Sequence, residues 1–169
     1  MNRFFLSAVL AAAFSTSAFA APVKTVVIRQ APEFSYLAAG NRSQSLKSLR
    51  GQPVVLIIAE SPDNRAFRKQ IKYLREIYSQ FASRNVVFAA AFKDGSAEPV
   101  ESDVPFAIVN NGPSVAFAYG VEDDFSIAII GKDGNIDYQT GKVLTPQRIR
   151  DVIKNSFAVQ AEARREIPR

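Results

Sequence analysis

Reactive side chains are scarce in this chain. Its 169 residues include no cysteine and no histidine, which removes thiol chemistry, imidazole acid–base chemistry and two of the commonest metal ligands at once. Serines and carboxylates remain. Ser61 opens the run Ser61-Pro62-Asp63-Asn64 directly after an apolar stretch, where a nucleophile could sit. A serine needs a neighbouring base to take its proton, and the chain offers neither a histidine nor a Ser-x-x-Lys spacing. Ser61 fits instead as a helix cap with Pro62 at the first helical position. Glu60, Asp63, Asp123 and Asp124 could hold Ca²⁺ or Mg²⁺ if folding brought the two segments together. Helix-terminal charges beside a solvated acidic loop account for them better. Asp133 to Asp137 (DGNID) echoes a calcium loop but lacks the preceding acidic ligands and the closing glutamate, so it reads as a hairpin turn. A third group is cationic. Arg65, Arg68, Lys69, Lys72 and Arg75 fall on one helical face, with Glu76 among them. Such a face suits an anionic lipid surface or an acidic partner, or simply water.

These residues must be positioned by the stretch Val54 to Phe92, which reads as strand, helix, strand. Val54 to Ile58 is a continuous apolar run with β-branched residues, of the kind buried on both faces. Phe67, Ile71, Leu74, Tyr78 and Phe81 then recur at helical spacing, and the helix ends at Arg84-Asn85. Val86 to Phe92 reads as a second buried strand, parallel to the first. Upstream, Val23 to Arg29 is expected to be a strand, Gln30 to Arg50 loop-like, and Ser45 to Leu49 a helical turn within it. Downstream, Val104 to Val109 is a short strand, Asn110 to Pro113 a turn, and Ser114 to Tyr119 a short helix stopped by Gly120. Phe125 to Ile130 and Ile136 to Gln139 form a hairpin about Asp133-Gly134. Thr145-Pro146 starts a last helix with Ile149, Val152, Ile153 and Phe157 on its apolar face.

Hydrophobic residues make up 47% of the chain, enough for one domain with its own core. The first twenty residues read separately. Arg3, the apolar run Phe4 to Phe14 and the small-x-small site Ala18-Phe19-Ala20 have the form of a secretory leader cut after Ala20. The expected organisation is therefore a signal peptide over 1–20, a domain over 21–157 and a charged tail over 158–169. Losing Arg3 lowers Lys+Arg from 21 to 20 against 16 acids, leaving +4. That is mildly basic, and gives no reason to expect nucleic acid as partner. No further segment could cross a membrane.

Ser45 to Ala59 (SLKSLRGQPVVLIIA) resembles the entry to the central strand in thioredoxin-like proteins of the peroxiredoxin and secreted thiol-disulfide reductase kind. Val104 to Val121 and Ser126 to Ile136 resemble later segments of the same superfamily. A nearer likeness is to a small family of exported bacterial thioredoxin-like domains of unknown function. Ser61-Pro62-Asp63-Asn64, Gly131-Lys132-Asp133-Gly134 and Arg164-Arg165-Glu166 carry it. The resemblance implies an α/β fold: a thioredoxin-like three-layer sandwich on a central mixed sheet, with a βαβ unit, a hairpin and a C-terminal helix. It also implies cysteines at the start of the first helix and a proline before the hairpin strand. Here Ser61 to Asn64 and Asp123-Asp124-Phe125 stand at those places. The expectation is thus a redox-inactive, non-enzymatic module, periplasmic or secreted, with a binding or scaffolding role in the cell envelope. Neither cofactor nor metal is expected. A protein or small-molecule partner would meet a polar-aromatic edge made by Ser61, Asp63, Asn64, Arg65, Asp124 and Phe125. The alternatives are metal-dependent chemistry at the acidic edge and docking of anionic surfaces by the basic helix face.

Overall fold

In the computed structural model, which describes residues 29–38, 42–82 and 85–155, eight strands form one mixed sheet. They are β1 (Arg29–Gln30), β2 (Ser35–Ala38), β3 (Arg42–Ser45), β4 (Val54–Ala59), β5 (Val87–Phe92), β6 (Ala107–Val109), β7 (Phe125–Ile130) and β8 (Asn135–Thr140). A 3-10 turn covers Leu46–Leu49; α1 is Arg65–Ala82, α2 is Gly112–Ala118, and residues 146–155 form α3. The sheet order is β1-β8-β7-β4-β5-β6-β2-β3. β4, β5 and β6 are parallel, β4 with β7 and β7 with β8 antiparallel.

The two central strands explain the layers. Every residue of β4 and β7 is buried, and their side chains alternate between two cores. Val55, Ile57, Phe125, Ile127 and Ile129 face the layer made by α1 and α3, where Phe67, Leu74, Ile77, Ile149 and Ile153 meet them. Val54, Leu56, Ile58, Ala128 and Ile130 face the opposite layer, built from the 3-10 turn, α2 and Phe34. This is the thioredoxin-like three-layer sandwich. Ile77, at 1% exposure, belongs to the α1 stripe beside the expected Phe67, Ile71, Leu74 and Phe81, while Tyr78 lies at the margin.

Gly112 marks where α2 approaches the sheet most closely. A Cβ there would lie 1.9 Å from the Phe92 carbonyl oxygen, so no side chain fits without moving backbone. Asn111, in the left-handed conformation at φ 54, turns the chain into α2 and accepts a hydrogen bond from Ser114 N. Part of the expected turn over Asn110 to Pro113 is therefore the cap and first residues of a helix.

Three expectations need correction. Gln30 to Arg50 is more than loop: β2 and β3 form a hairpin, and β2 pairs with β6, anchored by the buried Tyr36. The strand expected from Val104 is confined to Ala107–Val109, since Pro105 has no N–H for a ladder. The first helix starts at Arg65, and its cap is Asn64 rather than Ser61. The Asn64 Oδ1 accepts from Ala66 N at 2.9 Å and Phe67 N at 3.1 Å, whereas Ser61 offers its carbonyl to Asn64 N across a turn. The expected leader, the body of the expected first strand, Phe157 and the charged tail lie outside the described residues.

Candidate functional site

The rim at the C-terminal ends of β4 and β5 gathers three loops. Asn64 caps α1, and its amide also reaches across to donate to the Asp124 carbonyl at 3.3 Å. Glu60 N donates to the same carbonyl at 2.8 Å. One oxygen at the entry to β7 is therefore shared by the end of β4 and the start of α1. Lys93 completes the joint from the end of β5. Its Nζ lies 2.9 Å from Glu60 Oε2 and donates to the carbonyls of Glu122 and Asp123, each at 3.3 Å. With only 23% of its side chain exposed, this lysine is a clamp more than a free surface charge. Nothing in the spacing of Lys93 marks it in the sequence; the signal is its place one residue past a buried strand, where β4 and β5 open.

The structure brings Ser61, Asp63, Asn64, Asp124 and Phe125 to this one rim, but gives them unequal parts. Asp63 is exposed and pairs with Arg68 one turn into α1. Arg65 is exposed on the cationic face of α1. Phe125 is 4% exposed and belongs to the core, so the edge is polar, and its expected aromatic character is corrected. Glu60 and Asp63 are each taken by a cation. Among the described residues no three acidic side chains gather closely enough to hold a metal ion.

Two polar groups that sequence reasoning missed lie inside the molecule. Gln70, fully buried on the apolar face of α1, exchanges two hydrogen bonds with the backbone of Leu144 just before α3. Tyr119, after α2, donates its hydroxyl to the Pro32 carbonyl at 3.0 Å. Burial pushes this phenol far above its ordinary range, and Glu33 adds to the shift while Arg29 opposes it. On the same side of the sheet, Phe117 stands 89% exposed on α2.

A sheet in this order, with α1 leaving the central strand and a hairpin closing the edge, defines a thioredoxin-like fold. Solved structures agree. The chain is similar to one described as a candidate thiol:disulfide interchange protein DsbE from Chlorobium tepidum, with a TM-score of 0.63 and 14% identity over 76% of this chain and 96% of that one. It resembles the mitochondrial 2-Cys peroxiredoxin of Plasmodium falciparum at a TM-score of 0.62 and 21% identity, over 80% and 96% of the two chains. An exposed lipoprotein thioredoxin, Etrx1 of Streptococcus pneumoniae, superposes at 0.57 with 14% identity, over 73% and 99%. Identities this low speak for the fold alone. No curated protein matches the sequence. Residues 45–162 match the family described as a domain of unknown function, DUF4174, and the chain belongs to that family. It carries the fold without a cysteine, and so without a redox-active thiol. Among the described residues no helix is long and apolar enough to cross a membrane.

Proposed function

We propose that this protein is an exported, redox-inactive binding module of the cell envelope, and that a protein or small-molecule partner meets it at the rim formed by Glu60 to Arg65 and Glu122 to Phe125. The observation that carries the reading is the Asp124 carbonyl with its two donors, backed by Lys93. This arrangement holds three loops in one geometry. A rigid surface suits recognition, because little ordering entropy remains to be lost on binding. The leader-like first twenty residues support export.

The test uses exposed side chains, since Asn64 and Phe125 are needed by the fold. Asp63→Ala with Asp124→Ala is compared with Lys69→Ala with Lys72→Ala for capture of partners from envelope extract, after both proteins are shown to be folded. The rim pair should weaken recovery of the partner at least about tenfold, about 1.4 kcal/mol. Loss with the lysine pair alone would refute the rim as the docking edge. Insulin reduction or peroxide turnover above a heat-inactivated control would refute the non-redox reading.

A further inference from the structure

Charge is segregated in this molecule. α1 carries Arg65, Arg68, Lys69, Lys72 and Arg75 against the single acid Glu76. α3 adds Arg148, Arg150 and Lys154 against Asp151. Both helices pack on the same face of the sheet, and Arg150 Nη1 donates to Gln80 Oε1 at 3.4 Å across the seam between them. Eight cations and two acids make this layer +6, more than the +5 of the entire chain. The acids Glu60, Asp63, Glu122, Asp123 and Asp124 collect instead at the rim.

Within the layer the cations differ. Arg68 is paired with Asp63, and Arg75 with Asp103 at 2.9 Å. Among the described residues no carboxylate pairs with Arg65, Lys69 or Lys72. These three recur at helical spacing over about 10 Å of the α1 axis. They line an open hollow of about 650 Å³ together with Asp63, Arg68 and Tyr73. Lys69 Nζ lies 5.8 Å from the centre of the Tyr73 ring, which is half-buried beside it.

We propose that the α1/α3 layer docks on a bilayer surface rich in anionic phospholipid. The surface offers a broad array of cations rather than one shaped pocket, which matches a plane of phosphate headgroups better than one anionic ligand. Tyr73 supplies an aromatic ring of the type that settles at headgroup level. The acidic rim is repelled by the same surface, so electrostatics favours the helix layer as the approaching side. This inference does not depend on the rim having a partner.

The test is partition of the protein, in the form its cells produce, onto vesicles of phosphatidylglycerol and phosphatidylcholine in equal parts, compared with phosphatidylcholine alone. The difference between the two vesicle types removes any contribution from apolar segments. Each cation near the surface is worth about fivefold, so Lys69→Gln with Lys72→Gln should lower the anionic preference about 25-fold. Arg65→Gln alone should lower it about fivefold and serves as a second variant. Arg42→Gln with Lys47→Gln removes the same charge from β3 and the 3-10 turn, and should change it less than about twofold. At about 1 M salt, where the screening length falls to about 3 Å, the preference should vanish. Equal binding to both vesicle types, or equal loss with the two double variants, overturns the proposal. So does binding to soluble polyglutamate with none to vesicles, which would point to an acidic polypeptide instead.

Discussion

Gln70 and Leu144 stand 74 positions apart and are joined by two hydrogen bonds: Gln70 Nε2 donates to the Leu144 carbonyl at 3.0 Å, and Leu144 N donates to Gln70 Oε1 at 2.7 Å. The side-chain amide serves as a short piece of strand for the segment entering α3. Both residues are buried, so the pairing fixes where α3 begins relative to α1. Gln70→Leu keeps most of the volume but leaves the N–H and C=O of Leu144 without partners. It should destabilise the protein by about 2–4 kcal/mol in chemical denaturation. A loss below about 0.5 kcal/mol would mean that the bonds contribute nothing net.

Leu74 is fully buried against the sheet, whereas Arg68 is 66% exposed and paired only with an exposed carboxylate. Leu74→Ala should cost about 2–5 kcal/mol, and Arg68→Ala less than about 0.5 kcal/mol. Equal denaturation midpoints for the two variants would contradict the orientation of α1.

Tyr119 gives the protein a defined alkaline limit. The folded phenol holds its proton more tightly than the unfolded one, whose ordinary pKa is 10.0. Its stabilising contribution is therefore complete below about pH 10 and declines as the pH rises beyond it. Tyr119→Phe should cost about 1 kcal/mol at neutral pH, through loss of the bond to the Pro32 carbonyl. The same variant should lose less stability than the parent between about pH 10 and pH 11. Parallel pH profiles for the two proteins would contradict this assignment.

Export predicts a specific mature terminus. Mass spectrometry of the protein recovered from envelope fractions should find Ala21 first, with Met1 to Ala20 removed. A mature chain that retains Phe4 to Phe14 would contradict the leader reading.

The interior of the fold was easier to read than its connections. β4 and β7 stand out because strands buried on both faces leave short, mainly apolar runs rich in β-branched residues. The βαβ unit followed from the length of α1 and its apolar spacing. β2 and β3 leave almost no trace: of Ser35, Tyr36 and Leu37 only Tyr36 is buried, and Arg42-Ser43-Gln44-Ser45 is polar because an edge strand faces water. The α1 cap lies three residues beyond Ser61: Ser61-Pro62 has the composition of a helix start, while Asn64 both caps α1 and reaches Asp124. At the rim, the right segments met but Phe125 turned inward, since β7 begins there and its first side chain falls on the α1 side. Gln70 was hidden for a simpler reason: a polar residue within an apolar stripe is assigned to water unless its partner, 74 positions away, is known.

Placing thiols at the rim would not by itself make this chain a reductase. Asn64 closes the run Ser61 to Asn64, where the resemblance would place cysteines, and its side chain both caps α1 and joins Asp124. Asn64→Cys should therefore cost about 1 kcal/mol, measurable as a shift in the denaturation midpoint. The nearby cation, Lys93, is already engaged by Glu60 and two carbonyls. Asn64 and Lys93 both carry structural duties at this rim. The route toward catalysis thus descends in stability at its first step, like a ratchet that turns easily in one direction only.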